Sequence, residues 1–117
     1  MVNNSDYIPA RGDLVWLDFT PNAGHEQGGR RPGLVLSPFD YNRRVRLALV
    51  CPVTSRAKGF PFEVALPAGS PIGGVVLSDH VRSVDWRQRR VEPAGKVDGE
   101  ILEQVIQRVE ALLRPGA

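Results

Sequence analysis

The chain has one cysteine and two histidines among 117 residues, and aromatic residues make up only 7% of it. Cys51 has no partner for an intrachain disulfide, so nothing staples the fold, and a reducing compartment, the cytoplasm, is the natural setting. With His25 and His80 as the only imidazoles, CxxC and HExxH spacings are missing, as is any Asp-rich cluster. The common metal-ligand patterns are thereby excluded, and neither a metal nor a cofactor is expected. There is no Walker loop or dinucleotide fingerprint. The pairs Gly28-Gly29 and Gly73-Gly74 read as turns. No apolar run approaches the ~18 residues a membrane helix needs. The first ten residues lack the basic start and apolar core of a signal peptide, so no membrane partner is expected.

What remains is an ordinary globular composition, 42% hydrophobic and 24% charged, in a length that suits one domain over residues 1–117. A domain this small buries only about two-thirds of its unfolded surface, so a second copy of the chain would add stability. The formal charge is +2 and the pI about 9.1. The distribution says more than the sum. Arg30, Arg31, Arg43, Arg44, Arg46, Arg56, Lys58, Arg82, Arg87, Arg89 and Arg90 fall in the loop-rich first 90 residues, whereas Asp98, Glu100, Glu103 and Glu110 gather in the tail. Such a basic face is either simply solvated or a surface that attracts phosphate.

Leu14 to Phe19 reads as a first strand, opened by Gly12-Asp13. Residues 20–31 form a long polar loop. A second strand covers Gly33 to Ser37, Pro38 to Asn42 make a turn or a single helical turn, and Arg44 to Val53 make a buried central strand. Further strands are expected at 61–66, 74–77, 81–86 and, broken by Pro93 and Gly95, 90–97. Ile101, Leu102, Val105, Ile106, Val109, Leu112 and Leu113 recur at helical spacing, with Asp98 placed to cap the helix and Pro115-Gly116 to end it. The sum is a mostly β, barrel-like α+β domain of six or seven short strands with a C-terminal amphipathic helix.

Two segments hold chemistry. Residues 24–32 place His25, Glu26, Gln27, Arg30 and Arg31 in one loop, and residues 52–59 end the central strand with Thr54, Ser55, Arg56 and Lys58. If the second and third strands pair, Arg31 and Thr54 stand at neighbouring strand ends. Phosphoryl transfer by a ribose 2′-OH needs a proton acceptor, donors for the charged pentavalent state and a proton for the departing 5′-oxygen. Arginine grips phosphate through a charged fork, a threonine hydroxyl adds an aimed donor, and Glu26 is a candidate base. Each residue also has an ordinary explanation: a strand-end ion pair, a turn hydroxyl, a solvated carboxylate.

The order of several motifs distinguishes the two readings. Gly12-Asp13-Leu14-Val15-Trp16, Glu26-Gln27-x-Gly-x-Arg31-Pro32, Val35-Leu36-Ser37-Pro38, Pro52-Val53-Thr54-Ser55, Lys58-Gly59-Phe60-Pro61-Phe62-Glu63-Val64 and Asp79-His80-Val81-Arg82-Ser83-Val84-Asp85-Trp86 together resemble the MazF/PemK toxin family from about residue 7 to the terminal helix. The resemblance implies an SH3-like barrel acting as a homodimer. It also implies metal-independent, sequence-specific cleavage of single-stranded RNA, chiefly messenger RNA, to 2′,3′-cyclic phosphate and 5′-hydroxyl ends. An acidic antitoxin of the MazE type would neutralise the protein, with DNA met only through that complex. The family's catalytic arginine and threonine fall on Arg31 and Thr54, and its loop glutamate on Glu26. Because the arginine pKa exceeds about 12, Arg31 is assigned to charge stabilisation and leaving-group protonation, with proton abstraction open between Glu26 and Arg31. Phe19, Pro21, Gln27, Asn42, Arg56, Lys58 and Arg82 are the candidates for holding RNA, Phe19 by stacking on a base. His80 departs from the family pattern, which usually has Gln there. A gyrase-poisoning toxin of the same fold and a non-catalytic SH3-like binding module are the alternatives. The ending Arg114-Pro115-Gly116-Ala117 lacks the exposed Trp-Gly-Ile terminus typical of the gyrase poisons, and the intact Glu26, Arg31 and Thr54 argue against the binding module.

Overall fold

The computed structural model describes residues 6–19 and 29–114. Its elements are β1 (Asp13–Asp18), β2 (Arg30–Val35), α1 (Phe39–Val45), β3 (Ala48–Thr54), β4 (Glu63–Ala65), β5 (Val75–Leu77), β6 (Arg82–Val84), β7 (Glu92–Lys96) and α2 (Gly99–Leu113), with a 3₁₀ turn at Ser78–His80. The strands form one antiparallel sheet in the order β4-β5-β3-β2-β1-β7, and β6 pairs with β3. β3 is the hub. It pairs with β6 along Ala48–Val50 and with β5 along Val53–Thr54, while β2 runs along its other edge. The protein is mostly β with a C-terminal helix, as the sequence implies. The expected barrel is, among the described residues, a sheet left open between β4 and β7.

Alternation along the strands builds two cores. Val15, Leu17, Phe19, Val35, Ala48 and Val50 meet Val84, Trp86 and Val91 in one cluster. Leu14, Leu34, Leu36, Cys51 and Val53 form the other, with Val105 of α2 fully buried in it and Ile101, Leu102 and Val109 packed against it. The apolar stripe of α2 thus covers one sheet face. Asp98 occupies the N-cap position with extended backbone but makes no side-chain capping bond. Burial pushes the Cys51 thiol up to about 12, so it is an inert core group.

Two local expectations are corrected. The central strand starts at Ala48, because residues 39–45 form a helix that ends on Arg46 in the left-handed conformation (φ 67°), with the Arg46 N–H bonded to the Asn42 carbonyl. Asn42, a candidate RNA ligand, is fully buried. Its side-chain amide donates to the carbonyls of Pro9 (2.7 Å) and Ser37 (3.0 Å). It accepts from the Ser37 hydroxyl (2.5 Å), and its backbone carbonyl accepts from Trp86 Nε1 (2.9 Å). A buried amide with its partners already in place is a structural rivet. Removing it would strand those partners at roughly 1–3 kcal/mol each.

Candidate active site

β2 and β3 pair through Gly33–Pro52, Leu34–Cys51 and Val35–Val50, and the ladder stops there. Pro32 and Pro52 lie at this end, and neither has an N–H to donate. Continuing the register by two residues sets Arg31 against Thr54. Where pairing ceases the strands frame a cleft of about 620 Å³ lined by Trp16, Arg31, Pro32, Val53, Thr54, Ser55 and Arg56, with Pro71, Ile72 and Gly73 on its far wall. Two side chains widely separated in sequence are brought together by register alone.

Thr54 is fixed from two sides. Its Oγ1 accepts the backbone N–H of Arg56 at 3.2 Å, which orients the side chain and leaves its O–H to donate elsewhere. Behind it, Gly74 (φ +113°) lies so close that a Cβ there would stand 2.2 Å from the Thr54 carbonyl oxygen. Arg31 is exposed, and among the described residues its guanidinium has no hydrogen bond or ion pair. Unlike Arg30, it is therefore uncommitted to any carboxylate there. Arg56 and Lys58 are exposed on the following loop, which is held by the Glu63 carboxylate accepting the N–H groups of Lys58 (3.1 Å) and Gly59 (3.0 Å).

The loop carrying Glu26, Pro21 and Gln27 lies outside the described residues, but its stem is well defined. The Phe19 N–H donates to the Gly29 carbonyl at 3.2 Å. Asp18 is paired with Arg90 (2.9 Å) and Arg30 (3.3 Å). The hydrogen bond from Arg90, with Arg30 alongside, holds the Asp18 carboxyl below the usual carboxylate range despite its burial. Arg89 donates to the carbonyl of Phe19 at 2.5 Å, and Arg30 also pairs with Glu92. A second cavity of about 380 Å³ near this stem is lined by Tyr7, Arg30, Trp86, Arg87 and Arg90 among others. Arg30 and Arg90 are already spent on carboxylates there, so the pocket offers less free positive charge than its composition suggests.

Phe19 and Arg82 meet each other, with the guanidinium 5.7 Å from the ring centroid, and neither lines the cleft. Phe19 is only 6% exposed. It shares the core face with Val15 and Leu17, so it does not present a free stacking surface, contrary to expectation. His80 is exposed in the 3₁₀ turn, its Nε2 3.8 Å from Asp79. Trp16 reads from the sequence as a strand and motif residue and not as a site residue, yet it lines the cleft. The hint in the sequence is a bulky indole two positions before a polar strand end, which is too common to single out.

Fold and cleft together define a small antiparallel-sheet protein whose uncommitted arginine and oriented hydroxyl stand where a phosphate can be gripped. Residues 10–113 match the family model for the PemK-like, MazF-like toxin of type II toxin–antitoxin systems. The chain is 44% identical over 109 residues to the endoribonuclease toxin MazF of Escherichia coli (strain K12), covering 93% of this chain and 97% of that one. The crystal structure of MazF from Deinococcus radiodurans superposes with a TM-score of 0.85 at 58% identity, covering 92% of this chain and 98% of that chain. A MazE–MazF crystal structure from the same organism gives 0.84 at 51% identity, covering 93% and 98%. The chain belongs to the PemK-like, MazF-like toxin family of type II toxin–antitoxin systems.

Proposed function

We propose that this toxin is a metal-independent, sequence-specific endoribonuclease, acting as one domain over 1–117 on single-stranded messenger RNA in the cytoplasm. The observation that carries the reading is the juxtaposition of Arg31 and Thr54 at the splayed ends of β2 and β3, in a cleft whose Arg31 has no ion-pair partner among the described residues. The substrate's 2′-OH attacks its own phosphorus. The P–O5′ bond breaks, a 2′,3′-cyclic phosphate forms, and the 5′-oxygen leaves as a hydroxyl. Arg31 neutralises charge on the pentavalent phosphorane and supplies the leaving-group proton, while the Thr54 hydroxyl donates to a phosphoryl oxygen. Proton abstraction falls to Glu26 or Arg31. Arg56, Lys58 and Arg82 draw the RNA backbone, and Pro21 and Gln27 join from the adjoining loop. The names of the relatives, endoribonuclease toxin among them, support the same chemistry.

The test is cleavage of a defined single-stranded RNA in excess EDTA. Full activity is expected, with a cyclic phosphate on the 5′ fragment and a free 5′-hydroxyl on the other, and loss of activity on chelation would refute it. The gyrase-poisoning and non-catalytic alternatives require that no RNA be cut at all.

Two partners follow from the same reading. A second copy is expected, because α1 leaves Phe39, Tyr41 and Val45 exposed and α2 leaves Leu112 and Leu113 exposed. An acidic antitoxin segment of the MazE type would occupy the basic cleft in competition with RNA, and the solved MazE–MazF complex is a precedent in a relative. DNA enters only through that complex. Sedimentation should give a dimer at micromolar concentration, and adding antitoxin should raise the apparent KM for RNA without changing kcat. A monomer would dispose of the first expectation, and a pure kcat effect of the second.

A further inference from the structure

β1 is paired on both edges, with β2 on one side and β7 on the other. Five of its six residues are buried, as befits a strand inside a sheet, and the exception is its largest side chain. Trp16 is 39% exposed. A tryptophan on a central strand is normally covered, since leaving an indole in water forfeits one of the largest burial gains a side chain offers. Its cross-strand neighbours are Pro32 and Glu92. Pro32 directly follows Arg31, and the indole shares the cleft with Arg31, Thr54 and Arg56. A flat apolar face held rigidly beside uncommitted phosphate-binding groups matches one ligand chemistry, a planar aromatic ring linked to a phosphodiester.

Resting on the endoribonuclease reading, we infer that Trp16 is a base-stacking subsite, which takes one nucleobase next to the scissile phosphate while Arg31 and Thr54 hold the phosphate itself. Strand placement makes the subsite rigid, so stacking also sets the register of the backbone in the cleft. Any base offers a π-face, so the subsite contributes affinity and register more than base identity. The phosphate arm and the aromatic arm of the cleft are one substrate site, built from β1, β2 and β3.

The experiment compares wild type, Trp16→Phe and Trp16→Ala on an RNA containing one cleavage site, and on copies with a single abasic ribose stepped through the positions flanking the cut. Stacking of one base is worth on the order of ten- to a hundred-fold in binding. Trp16→Ala should therefore lose that factor in kcat/KM, mainly through KM, and Trp16→Phe should recover most of it. At one flanking position the abasic RNA should be cut equally by wild type and Trp16→Ala, because the same contact has already been removed. The chain has only two tryptophans, and Trp86 is buried with its Nε1 bonded to the Asn42 carbonyl. Intrinsic fluorescence should therefore be quenched by an uncleavable RNA in wild type and not in Trp16→Phe. Unchanged kcat/KM in Trp16→Ala overturns the inference. So do abasic losses that multiply with the mutation at every position, or a variant that weakens only antitoxin binding. Failure of the wild type to cut RNA is a different result, and it removes the endoribonuclease reading itself.

Discussion

Replacing the ribose immediately 5′ of the cut by 2′-deoxyribose should abolish cleavage while leaving binding nearly intact. The attacking oxygen and the phosphorus belong to the same nucleotide, so the substrate supplies its own nucleophile in a near-attack geometry. Intramolecular reactions of this kind have effective molarities of about 10⁵–10⁸ M. Without the 2′-OH, water must replace a nucleophile already held beside the phosphorus, and set against the concentration of water itself the loss should be on the order of 10³–10⁶-fold. Binding should change little, because the phosphate grip of Arg31 and Arg56 does not involve the 2′-oxygen. A gel-based cleavage assay paired with a binding titration separates the two effects. Cutting of the deoxy-substituted RNA at the same bond would mean that water is the nucleophile, and the roles given to Arg31, Thr54 and Glu26 would fall with it.

Arg31→Ala should lower kcat by roughly 10²–10³-fold, the usual effect of removing one aimed donor to a developing oxyanion, with larger losses if the guanidinium also protonates the leaving oxygen. The chain should still fold. Arg31 is exposed near the start of β2, and among the described residues its guanidinium makes no hydrogen bond or ion pair that the fold would miss. Arg31→Lys keeps the charge and loses the fork, so it should recover only part of the rate. Thr54→Val, of nearly equal shape, should reproduce the kcat loss because the donated hydrogen bond disappears, together with the one its Oγ1 accepts from the exposed Arg56 N–H. Single-turnover rates with saturating RNA, alongside circular dichroism to confirm folding, provide the check. A rate within threefold of wild type for Arg31→Ala would remove it from the chemistry.

The Arg31–Thr54 neighbourhood was legible because it needs only antiparallel pairing of two strongly apolar segments, and apolar segments announce their register. The terminal helix was legible for the same reason, its spacing being repeated over 15 residues. The failures share another cause. Arg43, Arg44 and Val45 carry no signal against continuing the strand, and what makes them helical is the Asn42 network, assembled from Pro9, Ser37 and Trp86, which no local pattern encodes. Polar Asn42 therefore looked like a surface ligand. Phe19 and Trp16 were exchanged for a related reason. Alternation tells which residues share a face of β1, but not where along that face the cover ends. The cover reaches Phe19 through Trp86 and Val91, and it stops short of Trp16 on the other face.

The connection of β1 to β7 has a consequence in time. The first strand of the sheet pairs with the last, and the Asp18–Arg90 contact at the loop stem spans 72 positions. Contacts so distant in sequence form late, because the loop they close must be ordered before they return any stability. During synthesis the N-terminal part is made first, so β1, β2 and β3 exist with one edge of β1 bare until residues 92–96 arrive. The stem that carries the Glu26 loop is therefore clamped only when nearly the whole chain is present. A partly made chain holds Arg31 and Thr54 but not their anchored surroundings, and the toxin becomes competent as a finished molecule and not piece by piece.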